Sequence, residues 1–185
     1  TCTCAGGFNG DNCEEEPAPT ADLDCTAQDT SMDGVSYTTY TVSLTLGGSA
    51  ANVYTIYGDE DSAMSFPPAL QTETPFGANV GGLSPALVAA KAEAGLDSWL
   101  TVGITEGDTA GALSNIGLDW DGWGPSSGLY TTNGAVFWMA PDQAPDGTEP
   151  VVVAQLTVPA GTGFTVTLNA EGGGSSRRFV EGKVT

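Results

Sequence analysis

From Ser36 onward the chain alternates with a period of two. In residues 37–46, Tyr40, Val42, Leu44 and Leu46 share one face, and Thr39, Thr41, Ser43 and Thr45 share the other. That is the pattern of a half-buried strand, and Gly47, Gly48 and Ser49 end it. Residues 53–57 form a second β-type run, closed by Gly58 and Asp59. Residues 99–104 form a third, closed by Glu106, Gly107 and Asp108. Residues 135–139 stop at Pro141 and Asp142, and residues 151–158 stop at Pro159, Ala160 and Gly161. Phe164, Val166 and Leu168 then alternate with Thr165 and Thr167, and residues 179–184 are a last candidate strand. Short strands with turn residues between them predict an all-β fold, an antiparallel β-sandwich or jelly-roll-like domain. One segment departs from this. Ser84 as a cap, Pro85 in the first turn, helix formers over 86–94 and Gly95 at the end predict a short helix. Residues 59–82, with Phe66, Pro67, Pro68, Thr74, Pro75, Phe76 and Gly77, read as one long loop.

The charge balance narrows the partners. Lys and Arg number 4 against 23 Asp and Glu, a formal charge of −19, and there is no His. Such a surface repels phosphate backbones and anionic lipid, so neither nucleic acid nor a membrane surface is expected as a partner. His-based triads and His–metal sites are excluded by composition. The 185 residues suffice for one domain, and 40% hydrophobic residues suffice for its core. No stretch approaches the roughly 20 apolar residues of a spanning helix. Charged residues are only 15%, and the surface is otherwise small and hydroxylated, as in secreted β proteins. An extracellular or cell-surface location is therefore expected. The chain opens with Thr1 and Cys2 rather than Met, so it is expected to be processed or a piece of a longer polypeptide.

All four cysteines, Cys2, Cys4, Cys13 and Cys25, lie within the first 25 residues. Clustered cysteines staple a small module or bind metal, and the paired Cys-x-x-Cys knuckles of a zinc site are missing, which favours disulfides. Cys2, Cys4, Gly7, Phe8, Gly10 and Cys13 follow the spacing Cys-x-Cys-x-x-Gly-aromatic-x-Gly-x-x-Cys. This resembles the closing half of an EGF-like module. The resemblance implies a Cys4–Cys13 bridge, and it pairs Cys2 with a cysteine upstream of this chain. Cys25 is the other partner open to Cys2. No calcium follows from this half-module. Glu14, Glu15, Glu16, Pro17 and Pro19 read as a stiff acidic spacer. The expected division is a disulfide-stapled EGF-like fragment over 1–13, a linker over 14–24 and the β domain over 25–185.

Candidate chemistry is sparse. Asp119, Trp120, Asp121 and Gly122 look like the opening of a calcium loop, but Tyr130 stands where that loop needs a bidentate Glu. The reading is an acidic turn. Asp59, Glu60 and Asp61, and Asp142 with Asp146, are other oxygen clusters where weak calcium binding is the only cofactor use considered. Ser62, Ser65 and Ser98 have no His partner, and no two carboxylates stand out as a catalytic pair. Enzymatic activity is not expected. Trp120 and Trp123 lie in a Gly-rich turn region and are the candidates for a sugar-stacking platform. No Asn-x-Ser/Thr acceptor occurs, whereas the Pro-, Ser- and Thr-rich loops leave O-linked glycans open.

Three blocks of the body carry a second resemblance. The first is Val53 to Gly58 with Phe66, Pro67 and Pro68 and then Pro75 to Gly82. The second runs from Asp97 through Trp99 and Gly103 to Asp108, and the third joins Asn133 to Met139 with Ala154 to Pro159. Together they are similar to a repeated extracellular domain of the EGF-containing, mastigoneme-type (sexually-induced-gene-type) glycoproteins of stramenopile algae, which form hair-like flagellar filaments. The likeness covers about residues 53–168, and Arg177 and Arg178 fall outside it. It implies a structural role and copies of the chain itself as partners. Charge agrees with a polar unit. Arg177, Arg178 and Lys183 lie at one end and Glu14, Glu15 and Glu16 near the other, which makes these six the candidate assembly contacts, head to tail; pairing of the basic tail within its own domain is the other reading. A secreted carbohydrate-binding or adhesive module, with or without calcium, is the alternative expectation.

Overall fold

The computed structural model describes residues 19–173, and the EGF-like fragment, residues 14–18 of the spacer and the candidate strand 179–184 lie outside them. The strands are β1 (Thr20–Met32), β2 (Val35–Gly47), β3 (Thr55–Gly58), β4 (Met64–Phe66) and β5 (Trp99–Leu100). They continue with β6 (Leu113–Ile116), β7 (Leu129–Thr131), β8 (Gly134–Trp138), β9 (Val151–Pro159) and β10 (Asn169–Glu171). One short helix, α1 (Pro85–Ala90), and two 3-10 turns, Ala92–Leu96 and Pro141–Gln143, complete the elements. The fold is all-β, and every pairing between the named strands is antiparallel.

Two four-stranded sheets run in the orders β1-β2-β9-β5 and β10-β3-β8-β6, with a small β4-β7 sheet beside them. In the first sheet β1 and β2 form one unbroken ribbon, from Thr20 opposite Gly47 to Met32 opposite Val35. Asp33 and Gly34 turn it, at φ of 53° and 79°. A tight two-residue turn of this hand needs positive φ at both positions, and Asp-Gly meets that need with little strain. Strand β9 lies between β2 and β5, so both its edges are paired and most of its residues are apolar. A bulge between Val42 and Ser43 shifts its register on β2.

The buried sides of all three sheets feed one hydrophobic cluster. Val42 and Leu44 of β2, Leu156 and Val158 of β9, and Leu100 of β5 enter from the first sheet. Ile56, Val136 and Ala170 enter from the second, and Met64, Phe66 and Leu129 from the small one. Each fully buried side chain of this size contributes about 1.5–3 kcal/mol through the water it leaves.

Several sequence expectations shift. Residues 20–24, expected to close the linker, are the first rungs of β1, so the sheet begins before residue 25. The helix expected over 86–94 stops at Ala90, because Lys91 adopts an extended φ of −145°. No residue of α1 is buried, whereas the following 3-10 turn buries Ala94 and Leu96. Burial therefore favours the tighter turn over a continued helix. The strand expected over 99–104 is regular only through Leu100. The Thr101 hydroxyl bonds both backbone groups of Ile104, and Gly103 sits at φ 84°. The long loop contains a short strand, β4, whose Met64 and Phe66 reach the core.

Candidate functional site

The candidate site is the outer edge of β1. In its sheet β1 pairs with β2 on one side, and no described strand pairs with the other. About half of its thirteen residues, every second one, thus turn their backbone N–H and C=O groups to a side with no ladder partner among the described residues. Long open edges of this kind invite pairing with another chain. Period-two alternation gives the strand two faces. Ala21, Leu23, Cys25, Ala27 and Asp29 lie opposite Leu46, Leu44, Val42, Tyr40 and Thr38, on the core-facing side. Ala21 and Leu23 pack against the core, but Cys25 and Ala27 are exposed. The ribbon therefore runs past the cover that the other described residues provide. Asp22, Asp24, Thr26 and Gln28 occupy the opposite side and are exposed.

The edge carries Asp22, Asp24 and Asp29. Asp29 accepts a hydrogen bond from the Thr38 hydroxyl at 2.7 Å, and Asp24 accepts one from Thr45 at 3.5 Å. The one basic residue among the described residues is Lys91. It pairs with Glu93 at 2.7 Å and stands 5.0 Å from the Phe76 ring centre. A hollow of about 410 Å³ lies beside the edge, between Thr26, Gln28 and Thr30 of the ribbon and Leu96 of the 3-10 turn.

Of the disulfide candidates, Cys25 is described, with its thiol free and exposed on β1. Cys2, Cys4 and Cys13 lie outside the described residues, as do the assembly candidates Glu14, Glu15, Glu16, Arg177, Arg178 and Lys183. The two sugar-platform candidates part company. Trp123 is only 3% exposed, and its indole N–H donates to the Pro67 carbonyl at 2.9 Å. It is a core residue and cannot be a platform. Trp120 is half-buried, 6.0 Å from the Trp123 ring, and donates to Asn115 at 3.0 Å.

The acidic clusters are turns. Asp59 accepts from the backbone of Asp61 and Ser62, Asp119 from Gly122, and Asp146 from Thr148. The bonds from Thr148 hold the Asp146 carboxyl below its usual range. Among the described residues no three acidic or cysteine side chains converge as a metal site requires. A shallow hollow of about 610 Å³, lined by Tyr57, Asp59, Glu60, Ile116 and Asn133, lies at the end of the second sheet.

Asp97 was not singled out by sequence pattern, yet it organises the long loop. It is fully buried and accepts from the backbone N–H of Thr72 at 2.8 Å and of Ala78 at 2.7 Å. Burial raises its carboxyl from 3.8 to about 6, against the pull of those bonds. Gln155 of β9 donates to the Asp97 carbonyl at 2.7 Å, which ties the loop to the central strand.

No helix among the described residues is long and apolar enough to cross a membrane. Comparison of the chain with family models, with curated proteins and with solved structures found no match.

Proposed function

We propose that the chain is a structural subunit or repeat of an extracellular filament, of the mastigoneme-like, flagellar-hair or cell-surface-fibre kind, and not an enzyme. In this reading the two four-stranded sheets make a β-sandwich of jelly-roll-like character, joined to an EGF-like half-module stapled by Cys4 and Cys13. The observation that carries the reading is the thirteen-residue open edge of β1 on a body with one base. Copies of the chain bring the missing charge, since three of the four bases are Arg177, Arg178 and Lys183. A contact between unlike surfaces that does not close on itself propagates as a filament. O-linked glycans are the expected decoration of its hydroxylated loops.

Sedimentation of the intact chain over a range of concentrations tests this. The expected result is growth of large species with concentration, reduced by salt, because exposed charges are screened within about 10 Å at 0.1 M. Replacing Arg177, Arg178 and Lys183 by Glu should weaken the growth. Unchanged growth would remove charge from the account.

The second reading, a carbohydrate-binding or adhesive module, draws on the hollow where Tyr57 stands beside Asp59, Glu60 and Asn133. An aromatic ring among carboxylates and an amide is a common sugar-binding lining. A glycan array run with and without a chelator separates the two readings, since a filament unit should bind none.

A further inference from the structure

We propose that residues 73–77 form a strap that opens as a unit, held shut at both ends by the side chain of Asp97 and released when that side chain ionises. This goes beyond the filament reading and does not depend on it.

The strap is fixed at its two feet and hardly between them. Before it, Leu70 donates to the Thr157 carbonyl and accepts from the Ser98 N–H. After it, Asn79 accepts from the Leu100 N–H. At the neck, Thr72 and Ala78 donate to the two oxygens of Asp97, at 2.8 Å and 2.7 Å, so one buried carboxylate closes the loop. Within the strap the Phe76 N–H donates to the Glu73 carbonyl. No hydrogen bond ties residues 73–77 to the rest of the described residues. Glu73, Thr74 and Pro75 are exposed, and the Phe76 ring lies 5.0 Å from the Lys91 ammonium. Segments held by so few bonds open at the low end of a protein's range of local stabilities. Gly77 shows how tightly the neck shuts, because a Cβ there would collide with the Thr72 carbonyl oxygen.

Closure also carries a cost. The strap helps to wall a hollow of about 420 Å³ shared with Met32, Leu70 and Gln71. Gln71 Nε2 is buried without an acceptor, and opening returns such a group to water. Opening hydrates Asp97 as well. In the closed strap burial raises its carboxyl from 3.8 to about 6. A rise in pH across that window therefore favours the open form, in which the charge meets water. The charged groups on the elements around Asp97 are Glu73 of the strap and the paired Lys91 and Glu93 beside the 3-10 turn, while β9 brings the neutral Gln155.

Hydrogen exchange of the full-length chain tests this at the Thr72 and Ala78 amides. The Thr101 amide, bonded to Val153 in the core, is the reference. Corrected for intrinsic chemistry, Thr72 and Ala78 should open together and well before Thr101. Their opening should grow by up to about a hundredfold between pH 4 and pH 6. In Asp97→Asn the opening should no longer respond to pH. Gly77→Ala should raise opening about tenfold at every pH and leave Thr101 unchanged, which serves if Asp97→Asn fails to fold. Thr72 and Ala78 exchanging only as Thr101 does would overturn the strap. Parental opening that ignores pH, or Asp97→Asn opening that follows pH as the parent's does, would overturn control by Asp97.

Discussion

Asp97 shows at the scale of one residue how this fold handles a carboxylate it must bury. Its two oxygens accept from Thr72 and Ala78, so the group ties down a loop that has few strands of its own. Burial nonetheless raises it to about 6, above the 3.8 of an exposed Asp. Between those values the native chain holds a proton that the unfolded chain has released. Stability therefore falls as pH rises through that window, by at most about 1.4 kcal/mol per unit from this group, and this contribution is flat above it. In Asp97→Asn the amide turns a donor toward one of the two N–H groups, at a cost of about 1–3 kcal/mol. The variant should be less stable than the parent at pH 7 by thermal unfolding, and its stability should change less between pH 4 and 6. Equal slopes for the two chains would count against a buried, titrating Asp97. Nothing in the sequence marks Asp97 among 23 acids, because its role comes from segments 19 and 25 residues away.

The strands differ in how plainly the sequence shows them, and the reason is burial. Strand β2 is legible because Val42 and Leu44 are fully buried while Thr41, Ser43 and Thr45, which alternate with them, are not. Strand β9 is legible because both its edges are paired and its apolar run is nearly continuous. Strand β1 is faint in the sequence because its core-facing side is Ala21, Leu23, Cys25 and Ala27, a weak contrast with Asp22, Asp24 and Thr26. The small side chains follow from a strand that covers little core. Strands β4, β6 and β7 span only three or four residues and exist through tertiary pairing rather than local propensity. Trp123 shows the converse. Its Gly-rich surroundings suggest exposure, while Pro67, distant in sequence, supplies its buried acceptor. The β1–β2 ribbon depends on its turn, where Gly34 holds φ 79°. Gly34→Val should destabilise that turn by about 1–2 kcal/mol, read as faster amide exchange across β1 and β2. Exchange unchanged from the parent would mean that the ribbon does not rely on this turn.

At the scale of the whole molecule, the long edge of β1, which no described strand covers, and the three bases near the C-terminus are what support the proposed filament unit. The sequence shows the charge asymmetry directly. It does not show the edge, because strand order is a property of the assembled sheet. Electron microscopy of the purified full-length chain across a concentration series, at low and high salt, tests this most directly. The account predicts filaments that lengthen with concentration and shorten in salt. Single particles of monomer size at every concentration and salt would contradict it.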